Sequence, residues 1–391
     1  MKIKIRKKFL PITRPFFGKE EKKELIATIN SGWITLGPKT HQFEKDLAKY
    51  LGVKYVIALN SCSAALHLAM LAIDLKPGDE VITTTFTFAA TAHAILHCGA
   101  KPVFVDIDPK TFNIDPKLIE EKITSKTKAI LPVHYGGHPV NLDAINKIAE
   151  KYKLYVVEDA AFAIGAKYKN KFVGTISDLT CFSFHPVKII TTGDGGAITT
   201  NNKKLADKLL VLRANGMDKE AWNRHAFSGS WDYSVTTLGF KYHMNDIQAS
   251  LGIHQLKRIE KFLKMREQLI KIYDKELVKI KGVTIPYRES NIRHTNNVYP
   301  MLIDVSTLKI NRNDIVNLLK SFNIGTNVFF RPLHMQPFFK DKYKFKDEDF
   351  PVAKDVFEKL INLPLFPGMR KQDVMYVIQV LKSIIDDNKK G

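Results

Sequence analysis

The sequence contains no GxGxxG, no GxxxxGK[ST], no HExxH and no CxxC. Hydride transfer and nucleotide hydrolysis therefore start without their usual phosphate grip. Cysteine is scarce. Cys62, Cys98 and Cys181 are far apart and odd in number among 391 residues, which excludes a disulfide framework and points to a reducing cytoplasm. A long apolar run is also missing. The longest stretch without Asp, Glu, Lys or Arg, from Val81 to Ala100, carries five threonines and two histidines, so it reads as strand plus helix and not as a membrane span. The basic start, Met1 to Lys8, is not followed by an apolar segment, because Arg14 and the GKEEKK run interrupt it. Acidic residues are outnumbered, 40 Asp and Glu against 60 Lys and Arg, for a formal net charge of +20. That balance fits a nucleic-acid or acidic-membrane binder, or a lysine-rich chain with solvated charged faces and an anionic substrate. Apart from Lys2 to Lys8, the basic residues are mixed with acidic ones, as in KEEKKE and KDKYKFKDED. No zinc-finger, RRM or basic-zipper pattern accompanies them, which favours the second reading.

What is present is material for a sizeable core: 45% of residues are hydrophobic and 26% charged, at a length that suits more than one domain. From about residue 53 to 200, β-branched runs (YVIAL, EVITTTF, PVFVDI, AILPVH, LYVVED, TCFSF, GAITT) follow one another. The helical patterns SAALHLAMLAI, TAHAILHCG, PKLIEEKI and LDAINKIAEKYK separate the earlier ones. This order predicts an α/β fold with a mainly parallel, seven-stranded sheet and helices on both faces. TCFSF and GAITT have no helix between them, which predicts a hairpin or an antiparallel strand at that point. Ligands of such sheets sit beyond the carboxyl ends of the strands. A helical pattern from 245 to 279, more than about 45 Å long if unbroken at ~1.5 Å per residue, suits a bridge between domains. The runs VTIP, NVYPMLIDV, NDIVNLLKSF, TNVFF and DVMYVIQVLKSII beyond it predict a smaller α+β domain. The expected division is residues 1–250, an N-terminal arm and large α/β domain, and residues 251–391, the bridging helix and small domain. A first helix near 19–30 is expected to stop at Ser31-Gly32.

Three pieces of the predicted sheet edge could carry chemistry. YVIAL runs into Asn60-Ser-Cys-Ser63 and an alanine-rich helix. Small hydroxyl residues there either offer free N–H groups to a phosphate or simply cap the helix. Glu158 and Asp159 end LYVV on opposite faces, so they cannot both serve one site. A buried carboxylate there needs a partner, either a Lys or Arg or the protonated ring nitrogen of a bound heterocycle. Finally, 182-FSFHPVKIITTGDGG-196 places Ser183 and Lys188 after a strand, with Gly193, Gly195 and Gly196 behind them. A lysine held in a mostly buried site has a depressed pKa and can form an imine with a carbonyl. A solvated lysine is the commoner case.

The combination resembles the fold-type I, pyridoxal-phosphate-dependent sugar aminotransferases of the DegT/DnrJ/EryC1/StrS family over nearly the whole chain. Ten blocks match in order: 31-SGWITLGPKTHQFE-44, 60-NSCSAALHLA-69, 77-PGDEVITTTFTFAATA-92, 102-PVFVDID-108, 126-KTKAILPVH-134, 158-EDAAFAIGAKY-168, 182-FSFHPVKIITTGDGG-196, 239-GFKYHMNDIQASLG-252, 332-PLHMQP-337 and 363-LPLFPGM-369. The resemblance implies that Lys188 holds pyridoxal 5′-phosphate as a Schiff base and, once released, moves the proton. It implies that Asp159 keeps the pyridine nitrogen protonated, that Ser183, Cys62 and Ser63 cradle the phosphate, and that Phe88 lies against the ring. It also implies a homodimer with active sites at the interface, where Lys241 and His243 of the GFKYH segment act in trans. Three departures stand out: Phe162 where the family usually has His or Gln, His243 where Asn or Arg is common, and Asn215 in place of the common His of the LRxHG segment.

The family's dehydratases replace the Schiff-base lysine with histidine, so Lys188 implies amine transfer, and the neighbouring His185 is not the substitute. The implied substrates are glutamate as amino donor and a keto sugar on a nucleoside diphosphate. HPVKIITTGDGG and SGWITLGP resemble members acting on 4-keto-6-deoxy sugars, in the synthesis of amino sugars for cell-surface polysaccharide or similar glycoconjugates. Trp33, Ile34, Thr35, His185, Arg331 and His334 are then the substrate candidates, although Arg331 and His334 are equally readable as packing residues. The alternatives are a 3-keto sugar aminotransferase and a regulatory protein that keeps the cofactor fold without turnover. No nucleic-acid or membrane partner is expected, and the expected location is cytoplasmic.

Overall fold

A computed structural model of the protein describes residues 3–218 and 232–390; Met1 and Lys2 of the basic start lie outside the described residues. The strands of the first half are β1 (Tyr55–Leu59), β2 (Glu80–Thr84), β3 (Lys101–Val105), β4 (Thr127–Leu131), β5 (Tyr155–Asp159), β6 (Lys167–Tyr168), β7 (Lys171–Phe172), β8 (Leu179–Ser183) and β9 (Gly196–Thr200). Seven of them form one sheet in the order β1-β9-β8-β5-β4-β2-β3. The pairs from β3 through β8 are parallel. β9 is antiparallel to both β8 and β1, the hairpin expected where no helix separates the last two runs.

Helices cover both faces, and strand alternation says which residue goes where. Ile57, Leu59, Val81, Leu131, Val157, Cys181 and Ile198 share one buried cluster with α3 (Cys62–Ala72), α4 (Ala89–His97) and α6 (Lys203–Leu212). The intervening Val56, Ala58, Phe182 and Ala197 pack with α2 (Pro38–Leu51) on the opposite face. Ile82, Ile130 and Val156 pack there with α5 (Leu142–Tyr152). Ahead of these, α1 spans Lys19–Asn30 and is followed by Ser31 and by Gly32 at φ +74°, the stop legible in the sequence.

The 245–279 pattern is not one helix. It is two, Asp246–Lys257 and Ile259–Leu277, separated at Arg258 with φ −109° and ψ 4°. The Arg258 guanidinium is drawn to the buried Glu21 carboxylate and donates to the Phe16 carbonyl at 3.1 Å. Contact with the N-terminal arm accompanies the break, so the expected unbroken 45 Å span does not exist.

Farther on, β10 (Val283–Thr284), β12 (Tyr299–Ile303) and β13 (Leu360–Leu363) form a three-stranded antiparallel sheet. It packs with the helices Arg312–Ser321 and Lys371–Asp387 into a separate buried cluster. β11 (Ile292–Arg293) joins the β6–β7 hairpin. No described helix is long and apolar enough to cross a membrane.

Candidate active site

A cavity of about 380 Å³ opens beyond the carboxyl ends of β5 and β8; Cys62, Asp159, Phe162, Ser183, Lys188 and Phe330 are among the residues on its wall. Lys188 enters it from the loop between β8 and β9. That loop is tied by the Phe184 N–H to the Gly195 carbonyl (2.9 Å), and by the Thr192 N–H (3.0 Å) and Thr191 hydroxyl (2.8 Å) to the Phe184 carbonyl. As a residue Lys188 is half-buried and lines the cavity. Its Nζ lies 3.5 Å from the centroid of the Phe162 ring. Burial pulls its pKa from 10.5 down to about 8, against the opposing pull of Cys62 and Asp159.

Asp159 reaches the same cavity because it lies two residues from Val157, on the α3/α4 face. Its carboxylate accepts from the Thr91 hydroxyl at 2.7 Å and the Ala161 N–H at 3.1 Å. No described Lys or Arg forms a salt bridge with it, and burial raises its pKa, opposed by those two hydrogen bonds and by Lys188. Glu158 points the other way, accepting from the Thr180 hydroxyl (2.8 Å) and paired with His134 Nε2 at 2.7 Å, all of it buried.

At the start of α3, Ser61 is the cap: its hydroxyl accepts from the Ala64 N–H at 3.1 Å. The N–H groups of Cys62 and Ser63 have no acceptor among the described residues and stand at the positive end of the helix dipole. Strand β9 crosses immediately behind. A Cβ on Gly196 would lie 2.5 Å from Ser61 C and O and 2.6 Å from Cys62 N, so only glycine lets the strand pass this close. Ser63, Phe88 and His185 also reach the cavity wall, Phe88 61% exposed.

The remaining candidates lie elsewhere. Trp33, Ile34, Thr35, Lys241 and His243 are not on the cavity wall of their own chain. Thr35 Oγ1 and His243 Nε2 are 3.5 Å apart, and the Thr35 carbonyl accepts from the Asp246 N–H at 3.1 Å, so the two segments form one cluster. Arg331 is exposed and off the wall. His334 is fully buried, with Nδ1 2.8 Å from Thr85 Oγ1 and Nε2 3.3 Å from the Asp347 carbonyl; its place is one of packing. In that segment the wall is made by Phe329 and Phe330 instead. Sequence reasoning missed these two rings and Thr91, which also bonds Thr87 at 2.8 Å. The i, i+4 spacing of the two threonines at the start of α4 was the available signal.

The residues fit pyridoxal 5′-phosphate. A dianionic phosphate matches two free N–H groups with the Ser63 and Ser183 hydroxyls, a pyridinium matches a buried carboxylate with no salt bridge among the described residues, and an aldehyde matches an amine whose pKa burial lowers. Comparison with known proteins agrees. The structure superposes on the Streptococcus pneumoniae protein Spr1654, proposed to be a sugar aminotransferase, in its PMP and PLP forms. The TM-score is 0.90 and the identity 32% for both, over 98% and 97% of this chain and 100% and 99% of that one. Fold and site thus define a pyridoxal-phosphate-dependent aminotransferase of fold type I. The chain is also 50% identical over 385 residues to protein MJ1066 of Methanocaldococcus jannaschii, covering 98% of this chain and 100% of that one. It is 44% identical over 381 residues to the spore coat polysaccharide biosynthesis protein SpsC of Bacillus subtilis, covering 97% and 98%. Residues 15–382 match the DegT/DnrJ/EryC1/StrS aminotransferase family, and the chain belongs to it.

Proposed function

We propose that the protein is a homodimeric sugar-nucleotide aminotransferase that moves the amino group of glutamate to carbon four of a 4-keto-6-deoxy sugar. The observation that carries the reading is the Lys188 amine, enclosed against Phe162 and near the buried Asp159 carboxylate, which has no salt bridge among the described residues. The cofactor, when bound, supplies an aldehyde that accepts an amino group and a ring that stores electrons. In this reading Lys188 holds it and then carries the proton between the two carbons that exchange the amine, a task for which a pKa of about 8 is suited. Asp159, positioned by Thr91, keeps the ring nitrogen protonated. The N–H groups of Cys62 and Ser63, with the Ser183 hydroxyl, hold the phosphate, and Phe88 covers the open face.

Thr35 meets His243, and Trp33, Ile34 and Lys241 lie in the same two segments, all off their own chain's cavity, which supports their entering the partner's site. His185 and Arg331 remain substrate contacts in this reading; His334 does not. The sugar substrate is supported by SpsC's part in polysaccharide synthesis, and carbon four by the HPVK…TTGDGG setting of the lysine. Three free cysteines suit a reducing cytoplasm. The separate cluster that runs from Leu269 onward and includes Leu10 supports a second, smaller unit, although Ile253 to Leu263 still pack with the large one.

Glutamate alone is expected to bleach the yellow protein and release 2-oxoglutarate, and borohydride to fix the cofactor on Lys188. A Lys188→Ala protein that still aminated a keto sugar at the wild-type rate would sink the mechanism. Mass spectrometry of products from paired 3-keto and 4-keto sugar nucleotides decides the position.

A further inference from the structure

We propose that residues 295–297 form a strap that positions Lys188, with Thr295 and Asn297 as its two positioning side chains. This rests on the assignment of Lys188 as the cofactor lysine. The two side chains hold the backbone carbonyls of two residues that adjoin it. Thr295 Oγ1 donates to the Phe162 carbonyl at 2.7 Å, and Phe162 is the residue whose ring lies under the Lys188 amine. Asn297 Nδ2 donates to the carbonyl of Val187, the residue immediately before Lys188, at 3.1 Å. Both are almost fully buried, Thr295 at 1% and Asn297 at 2% exposure, so each bond forms where water does not compete.

The strap is anchored from two sides. Its backbone donates from Thr295 to the Gly137 carbonyl (3.2 Å) and from Asn297 to the Gly136 carbonyl (3.0 Å). Gly137 sits at φ +93°, and a Cβ there would fall 1.8 Å from Thr295 Oγ1, so the turn below is shaped around the threonine. On the other side Arg266, 1% exposed, donates through one nitrogen to the carbonyls of Asn297 (3.1 Å) and Leu365 (2.9 Å). Arg266 lies in the helix Ile259–Leu277, and Leu365 follows β13. A change in how the C-terminal part sits therefore reaches Val187 and Phe162 through one short segment, without a residue of the strap touching substrate.

The test uses the holoenzymes of Thr295→Val, Thr295→Ser and Asn297→Leu. Thr295→Val keeps the shape and loses the donor, and Thr295→Ser keeps the donor. Thr295→Val and Asn297→Leu are expected to lower kcat by about ten- to a hundredfold, the order of effect of small misplacements of a reacting group, with KM changed far less. The acid limb of kcat should move to higher pH in both, because a looser pocket lets water reach the lysine and its pKa returns toward 10.5. Thr295→Ser should keep the wild-type kcat and limb. Wild-type kcat and limb in both Thr295→Val and Asn297→Leu would overturn the strap, and so would a Thr295→Ser enzyme as impaired as Thr295→Val. Borohydride trapping separates the two levels: a wild-type enzyme not trapped on Lys188 overturns the underlying assignment and the strap with it, whereas trapping intact in all variants with unchanged kinetics overturns the strap alone.

Discussion

At the scale of single residues, the decisive contrast is between Lys188 and the other lysines. Lys151, Lys169 and Lys203 are solvated and paired with carboxylates, which raises their pKa values. Lys188 has no such pair among the described residues, and burial lowers its value to about 8. The sign of the consequence is fixed. The ionised lysine destabilises the fold below about pH 8, and that penalty fades as pH rises from 8 to 10.5. Lys188→Met apoprotein should therefore melt higher than wild-type apoprotein at neutral pH, by up to roughly 3 kcal/mol and less for the part of the side chain that borders the open cavity. The gap should close as pH approaches 10.5; thermal melts of the two apoproteins across that range check it, and a gap that does not change with pH contradicts the lysine's enclosure. Much at this scale was legible in the sequence: Lys188, Asp159, Ser183 and the turn after β1 stand where strand ends had to place them. His334 and Phe330 were not, because the partner that absorbs His334, Thr85, is 249 residues away and no local pattern announces it.

At the scale of elements, the crossing of β9 behind the start of α3 sets where a phosphate can sit. Gly196→Ala inserts a methyl group against backbone that cannot step aside. An overpacking cost of about 1–3 kcal/mol should weaken cofactor binding by about ten- to a hundredfold, read by titrating the apoprotein with pyridoxal 5′-phosphate; unchanged affinity would mean that the cradle lies elsewhere. The sheet was readable because strand periodicity and the alternation with helices are local signals, and the missing helix between TCFSF and GAITT marked the hairpin. The break at Arg258 was not readable, since a continuous helical pattern runs through it and the residue that Arg258 meets there, Glu21, lies far upstream.

At the scale of the whole molecule, the contact of Thr35 with His243 away from the cavity of their own chain gives a reason to expect two chains per functional unit. Lys188→Ala and His243→Ala proteins should each be impaired alone. Refolded together from an equal mixture, they should recover about one quarter of wild-type activity, because half of the dimers are mixed and each carries one intact site. Activity assays of the mixture against the separate variants give the answer, and no recovery at all would place His243 in its own chain's site.

The pairing of Glu158 with His134 and Thr180 has a consequence of its own. Two adjacent acids write one message on each side of a sheet, and only the parity of the strand decides which is read by the cavity. If β5 slipped by a single residue, the pocket would receive the longer acid and the interior behind it the shorter one. The buried imidazole and hydroxyl that hold Glu158 act as a parity check: they reward the one register in which Asp159 faces Lys188. A residue that never meets a ligand thus guards the identity of the one that does.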